Sequence, residues 1–474
     1  MRDKVASGVA WSIAEKVGSM LLQMGVSIVI LRLLTPEQMG IMAIPVVFSS
    51  LALVMVDSGF SQTLIRKAVP SEEDYKSVFV FNIAVSVLLY LLLVGAMPWI
   101  ARFYGMPELV RIAPVLFLLV PLNALCVIQN TIFTRQFRFA RLSKVVFTSS
   151  LVSGLVAIGM AWAGCGIWSL VGQRVVAMGV RAMLLWGLSD WRPRAAFYAG
   201  RAMAPYSFRL LATDLISSVY NNVSQLFVGK LYAADVLGFF NQAQKLKELP
   251  VTSTMQAVQS VTFPALSKIA DDERKFAESY RQVVMIVAFV MLPMMAGLIV
   301  VAPEMVDSLL GEKWMPMVPY FQVISLAGMF APIATVSNNV LKVKSNGRII
   351  VRLEVVKKVV MTLVLILTIP HSVLAVTWGL SAMAFFEMIL NFGATTRYAG
   401  LTAGRFLRTL LPIASATAAM FGGVWAFGHF TSFAPLPTFL LKVAVGVVCY
   451  AGFGALFRLE AMRVAWELVK KLFR

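Results

Sequence analysis

Fifteen ionisable residues interrupt stretches of this chain that are otherwise apolar enough to lie in a lipid bilayer. Nine are basic: Lys16, Arg174, Arg181, Arg209, Lys245, Lys247, Arg352, Lys357 and Lys358. Six are acidic: Glu15, Asp57, Asp214, Glu248, Glu354 and Glu387. An ionised side chain inside a span costs roughly 2.5–3.5 kcal/mol even on permissive insertion scales, so each needs a partner, water or a task. Arg209 and Arg352 are expected to snorkel toward head groups; the rest must face protein or water. Arg174 and Arg181 stand two helical turns apart and share one helix face. Glu354 precedes Lys357 and Lys358 at i+3 and i+4, the orientation that favours a local pair, so this cluster either neutralises itself or serves coupling. A rise of about 1.5 Å per residue puts Lys16 roughly 24 Å below Arg32, and Asp57 roughly 25 Å below Gly40. Adjacent antiparallel helices thus set Lys16, or its neighbour Glu15, level with Asp57, as a structural ion pair or as a substrate or ion contact. The run Phe239-Phe240-Asn241-Gln242-Ala243-Gln244-Lys245, with Pro250 beyond it, reads as a kinked helix lining a wet cavity. Asn221 and Asn222 belong with Asn241 as polar lining, helix–helix hydrogen bonding being their other use. Cations outnumber acids, which suits an anionic substrate such as a phosphate or pyrophosphate.

The elements that must position these groups are membrane spans. Apolar residues make up 59% of the 474 and charged residues 14%, against roughly 45–50% and 25% in soluble domains. Counting stretches of about 20 apolar residues gives fourteen spans. With the N-terminus inside, 27 of the 42 Lys and Arg fall in inner segments, six in outer ones and nine within spans. That bias places both termini in the cytoplasm and accounts for most of the +19 charge without a nucleic acid. The first span is expected to stay in the protein as an anchor, since no small-residue cleavage site follows it. Cys126, Cys165 and Cys449 show neither metal nor disulfide spacing, and His371 and His429 sit at span ends. No phosphate loop, metal cluster or nucleophile motif is present. No loop between spans is long enough to hold a soluble catalytic domain. No cofactor is expected; a coupling proton or sodium stays open.

An internal repeat organises the spans. Arg32-Leu33-Leu34-Thr35-Pro36-Glu37-Gln38-Met39-Gly40 reads like Lys230-Leu231-Tyr232-Ala233-Ala234-Asp235-Val236-Leu237-Gly238, an offset of 198 that also carries Lys16 onto Asp214. Six spans separate the copies, so they run in the same direction. The expectation is an all-α polytopic membrane protein of 14 transmembrane helices, with two parallel six-helix lobes around a central cavity plus two extra C-terminal helices. The boundaries are 1–201, 202–400 and an accessory 401–474.

The chain resembles the Wzx-type oligosaccharide-lipid flippases of the MOP exporter superfamily, the lipopolysaccharide or exopolysaccharide biosynthesis proteins. The markers are Ser7-Gly8-Val9-Ala10-Trp11-Ser12, Arg32-Leu33-Leu34-Thr35-Pro36-Glu37, Val56-Asp57-Ser58-Gly59-Phe60 and Gly238-Phe239-Phe240-Asn241-Gln242-Ala243. They continue in Phe263-Pro264-Ala265-Leu266-Ser267, Leu310-Gly311-Glu312-Lys313-Trp314 and Leu341-Lys342-Val343-Lys344-Ser345. The resemblance implies a bacterial inner-membrane flippase that moves an undecaprenyl-diphosphate-linked repeat unit to the periplasmic leaflet by alternating access. It implies a monomer working beside a polysaccharide polymerase. It further implies that Lys16, Arg174, Arg181, Lys245, Lys247 and Lys357 hold the diphosphate, while Glu15, Asp57, Asp214, Glu354 and Glu387 couple or gate. Where the family pattern often shows Tyr-Tyr-Asn-Arg-Ala, this chain has Phe239-Phe240-Asn241-Gln242-Ala243, and the missing arginine counts against phosphate binding at this position unless Lys245 substitutes.

Three rivals are weighed. A cation-coupled multidrug antiporter of the same superfamily should carry an acid-rich, aromatic site, whereas this one leans toward cations. A polymerase or ligase should carry a large outer loop. A structural scaffold has no reason to keep so many costly charges.

Overall fold

A computed structural model describes residues 2–57, 64–65, 67, 70–193, 204–345, 347–430, 433–457 and 459–464; the side chains of 2–17, 204–210, 257, 260 and 261 lie outside that description. Among the described residues the chain is helical, without strands. The order is α1 (Arg2–Leu33), α2 (Pro36–Asp57), α3 (Glu72–Tyr104), α4 (Leu109–Phe117), α5 (Leu119–Arg135), α6 (Phe139–Trp162), α7 (Trp168–Leu188) and α8 (Ala204–Leu231). There follow α9 (Ala234–Lys268), α10 (Glu273–Leu310), a 3-10 turn (Glu312–Met317), α11 (Val318–Lys344), α12 (Arg348–Thr368), α13 (Val373–Ala399), α14 (Ala403–Phe430) and α15 (Pro435–Leu456).

Local chemistry starts and stops these helices. Before α2, Gln38 N donates to Thr35 Oγ1 at 3.3 Å, and Thr35 N donates to Gln38 Oε1 at 3.1 Å. This reciprocal capping box satisfies two otherwise orphaned donors. Ser71 and Asp74 build another at the start of α3. α3 ends at Gly105, whose φ of 68° lets its N–H turn back onto the Ala101 and Arg102 carbonyls.

Among the described residues, nine helical stretches are long and apolar enough to cross a membrane: α2, α3, α4 with α5, α6, α10, the 3-10 turn with α11, α13, α14 and α15. Several turn their apolar side chains outward. α3 exposes Leu88, Leu91 and Leu92, and α15 exposes Val447 and Val448. Water would penalise such continuous apolar faces; hydrocarbon solvates them. Of α1, only Gly18–Leu33 enters that measure, as a shorter apolar helix. α7, α8, α9 and α12 are interrupted by polar and charged residues, and they carry Arg174, Arg181, Asp214, Asn221, Asn222, Asn241, Lys245, Lys247, Glu354 and Lys357.

The 198-residue repeat reappears in the helix boundaries. α1 ends at Leu33 and α2 begins at Pro36; α8 ends at Leu231 and α9 begins at Ala234. The two starts meet backbone to backbone. A Cβ on Gly40 would fall well inside 3.0 Å of the Ala234 carbonyl oxygen, and one on Gly238 likewise well inside 3.0 Å of that of Pro36. The contact is reciprocal, as a repeated pair of elements folded on itself requires.

Compactness divides the chain into Met1–Gly238 and Phe239–Arg474. The sequence places its first boundary at 201/202, after the sixth span; the compact unit runs further because α8 packs along α2. In the first unit α1 packs on α6, α6 on α7, and α3 and α7 on α5. In the second, α11 and α13 share the most extensive contact, and α14 and α15 pack on α10. The core there centres on Phe276, Tyr280, Met291 and Met295. Tyr280 Oη lies 2.8 Å from Ser337 Oγ and 3.3 Å from Thr395 Oγ1, so one buried hydroxyl cluster laces α10, α11 and α13.

Candidate functional site

In the first unit the candidates gather on α7. Arg174 is half-buried and has no ion-pair or hydrogen-bond partner among the described residues. Further along the same face, Arg181 Nη2 donates to Asn130 Oδ1 of α5 at 3.4 Å, while its Nε is buried without a partner among the described residues. α5 and α7 are held together by Trp186 Nε1, which donates to the Leu125 carbonyl at 2.9 Å. The guanidiniums therefore sit on a fixed helix with donors that the described residues leave unused.

Asp57 is exposed at the end of α2. Lys16 and Glu15 lie outside the described side chains, and with them the expected level-matched pair. On α8, Asp214 and Asn221 are exposed, and Asn222 Nδ2 donates to the Ser218 carbonyl at 2.8 Å, which satisfies that amide within its own helix. Sequence alone could not separate this local use from cavity lining, since the serine sits at the ordinary one-turn spacing.

In the second unit Asn241 is buried, Lys247 half-buried and Lys245 exposed, all on α9. α12 and α13 hold a tighter cluster. Lys357, only 5% exposed, donates its ammonium to Glu354 Oε1 at 2.8 Å. Glu387, half-buried on α13, interacts electrostatically with Lys357, Lys358 and Glu354. Two acids and two bases thus share a helix interface. The i,i+3 pair is legible in sequence; the approach of Glu387 is not. Among the described residues no three His, Cys, Asp or Glu side chains gather as a metal set, and Cys126, Cys165 and Cys449 are free thiols.

Two charged features escape the sequence reading. Lys442, counted there among outer-segment cations, is buried on α15 and lies 2.5 Å from Glu304 Oε1 of α10. Arg281, counted as an inner-segment cation, grips Glu460 through two bonds of 2.9 and 2.5 Å and also Glu278 at 2.8 Å. Beside it opens a cavity of about 270 Å³ that also reaches Arg405 and Arg408. No spacing rule links residues 138 or 179 positions apart.

A family model described as polysaccharide biosynthesis protein matches residues 29–319, well over half of the chain. The chain belongs to that family. Within the family's range lie Arg174, Arg181, Asn241, Lys245 and Lys247, but not the α12–α13 cluster. The teichuronic acid biosynthesis protein TuaB of Bacillus subtilis (strain 168) is 25% identical over 414 residues, covering 84% of each chain. The succinoglycan biosynthesis transport protein ExoT of Rhizobium meliloti (strain 1021) is 24% identical, covering 70% of this chain and 68% of its own. In fold, the chain is similar to the lipid II flippase MurJ in an inward closed conformation. The TM-score is 0.74 at 13% identity, over 95% of this chain and 98% of that one.

Proposed function

We propose that the protein is a flippase of the bacterial inner membrane. It moves an undecaprenyl-diphosphate-linked oligosaccharide from the cytoplasmic to the periplasmic leaflet by alternating access, in the assembly of an exported polysaccharide. The observation that carries this reading is the pair of α7 arginines inside a member of the polysaccharide biosynthesis family. One has no partner among the described residues and the other keeps a buried unused donor. A diphosphate supplies what such donors lack, because guanidinium and phosphate oxygens match in charge and fork geometry. The work is transport rather than catalysis.

The finer architecture belongs to the same proposal: fourteen spans, two parallel repeats of six followed by two more, and both termini cytoplasmic. The 198-residue recurrence of helix boundaries supports the repeat, and the distribution of Lys and Arg supports the orientation. Lys16, Lys245, Lys247 and Lys357 remain further cargo contacts. Glu15, Asp57, Asp214 and the Glu354–Lys357–Glu387 cluster remain coupling groups for a proton or sodium, and Asn221, Asn222 and Asn241 polar lining. A multidrug antiporter is the weaker reading, since arginines without acidic partners among the described residues repel cationic drugs.

The test is flipping of a lipid-linked oligosaccharide in proteoliposomes, read as the fraction of glycan reaching a lectin on the far side. Arg174→Gln and Arg181→Gln should each slow transport by about tenfold or more, the weight of a charged hydrogen bond, with protein levels unchanged. Wild-type rates in both variants would remove the arginines from the site.

A further inference from the structure

None of the residues that line the cavity beside Arg281 is assigned above to cargo or coupling. It is bounded by the first turns of α14, the early part of α10 and the segment that follows α15, all within the second unit. Its volume of about 270 Å³ is slightly below the roughly 300–1,000 Å³ of drug-sized pockets and fits a phosphodiester with a few waters.

The charges of this cavity are unequally satisfied. Arg281 is neutralised: Glu460 accepts two of its hydrogen bonds and Glu278 two more, which fastens the 459–461 segment to α10 as one wall. Arg405 and Arg408 line the opposite wall on one turn of α14 and have no acidic partner among the described residues. The lining therefore includes two guanidiniums without acidic partners among the described residues, and Thr409, whose hydroxyl donates to the Arg405 carbonyl at 2.8 Å. The same lining includes the apolar Met285 and Ile413. Outside, α14 exposes Leu407 and Leu411 at 56% and 55% on the surface where hydrocarbon must lie.

Two arginines and apolar side chains lining one cavity, on a helix that exposes leucines at its membrane end, match one chemistry: a phosphate carrying acyl chains. We propose that Arg405 and Arg408 form a binding site for the headgroup phosphate of an anionic membrane phospholipid, whose chains run along α14 past Leu411. Basic pockets between helices at a membrane surface are suited to such headgroups. The site ties the α10–α14–α15 corner to the anionic leaflet. It rests on the proposed orientation only for which leaflet that is, and it requires no transport.

The purified full-length chain is exchanged into vesicles of phosphatidylcholine with and without phosphatidylglycerol, and retained lipid is counted by native mass spectrometry. Arg405→Gln/Arg408→Gln should weaken phosphatidylglycerol retention by about thirtyfold, two basic residues' worth at an anionic surface. Arg405→Lys/Arg408→Lys should keep most of it, which shows that any loss is of charge rather than of fold. Arg348→Gln/Arg352→Gln, exposed on α12, should retain the lipid as the wild type does. Equal retention in the glutamine double variant and the wild type would overturn the site. Displacement of the lipid by an equal concentration of inorganic phosphate would assign the arginines to free phosphate and overturn the lipid reading. Because retention is read without flipping, a dead transporter that still binds lipid leaves this site standing.

Discussion

Lys442 and Glu304 meet at 2.5 Å with the lysine only 7% exposed, while the second carboxylate oxygen has no hydrogen-bond partner among the described residues. Such a pair stabilises little against an apolar replacement, because both ions give up hydration, yet breaking it strands one charge at a cost of about 3–5 kcal/mol. Lys442→Met and Glu304→Leu should each lower the melting temperature in detergent markedly. The double substitution should recover most of the loss, a coupling read from the thermodynamic cycle. Additive losses would show that the two side chains act separately. Arg174 stands in the opposite position. The fold has given Lys442 its anion and has given Arg174 none among the described residues, which is why the proposed function assigns Arg174 to the anionic cargo.

The starts of α2 and α9 meet through glycines because nothing larger fits. At Gly40 and Gly238 an added Cβ would overlap a carbonyl oxygen of the other helix start, and backbone cannot rotate away as a side chain can. Gly40→Ala and Gly238→Ala should each force the two starts apart, destabilising the protein by more than the roughly 1–3 kcal/mol of ordinary overpacking. The expected readout is reduced yield of monodisperse protein and a lowered melting temperature. Gly95→Ala, with open space around its Cβ position, serves as the control and should behave as wild type. The same element scale explains the polar helices. On α12 the Lys357 ammonium finds Glu354, and on α8 the Asn222 amide finds its own backbone.

Over the whole molecule, the orientation inferred from Lys and Arg makes a simple chemical prediction. Cys165 is an exposed free thiol in the turn between α6 and α7, whereas Cys126 is buried and Cys449 only partly accessible. With the N-terminus inside, that turn faces the periplasm. A membrane-impermeant maleimide added to spheroplasts should label the wild type and not Cys165→Ser. Labelling that requires lysis would invert the orientation.

Sequence by itself determined what depends on local spacing and on summed composition. Apolar runs of span length point to helices and the membrane class, the 198-residue offset to matching helix boundaries, and the ordered markers to the family. The Glu354–Lys357 pair is also readable, because i,i+3 spacing on a helix brings two side chains together whatever surrounds them. Tertiary structure decided which charges are already spent. Glu304 finds Lys442 138 positions away and Glu460 finds Arg281 179 positions away. Asn222 turns back on its own helix, and Arg174 finds no one among the described residues. Whether a buried charge is a strut or a binding group depends on its neighbours across helices, and those neighbours are set by packing that no local pattern encodes.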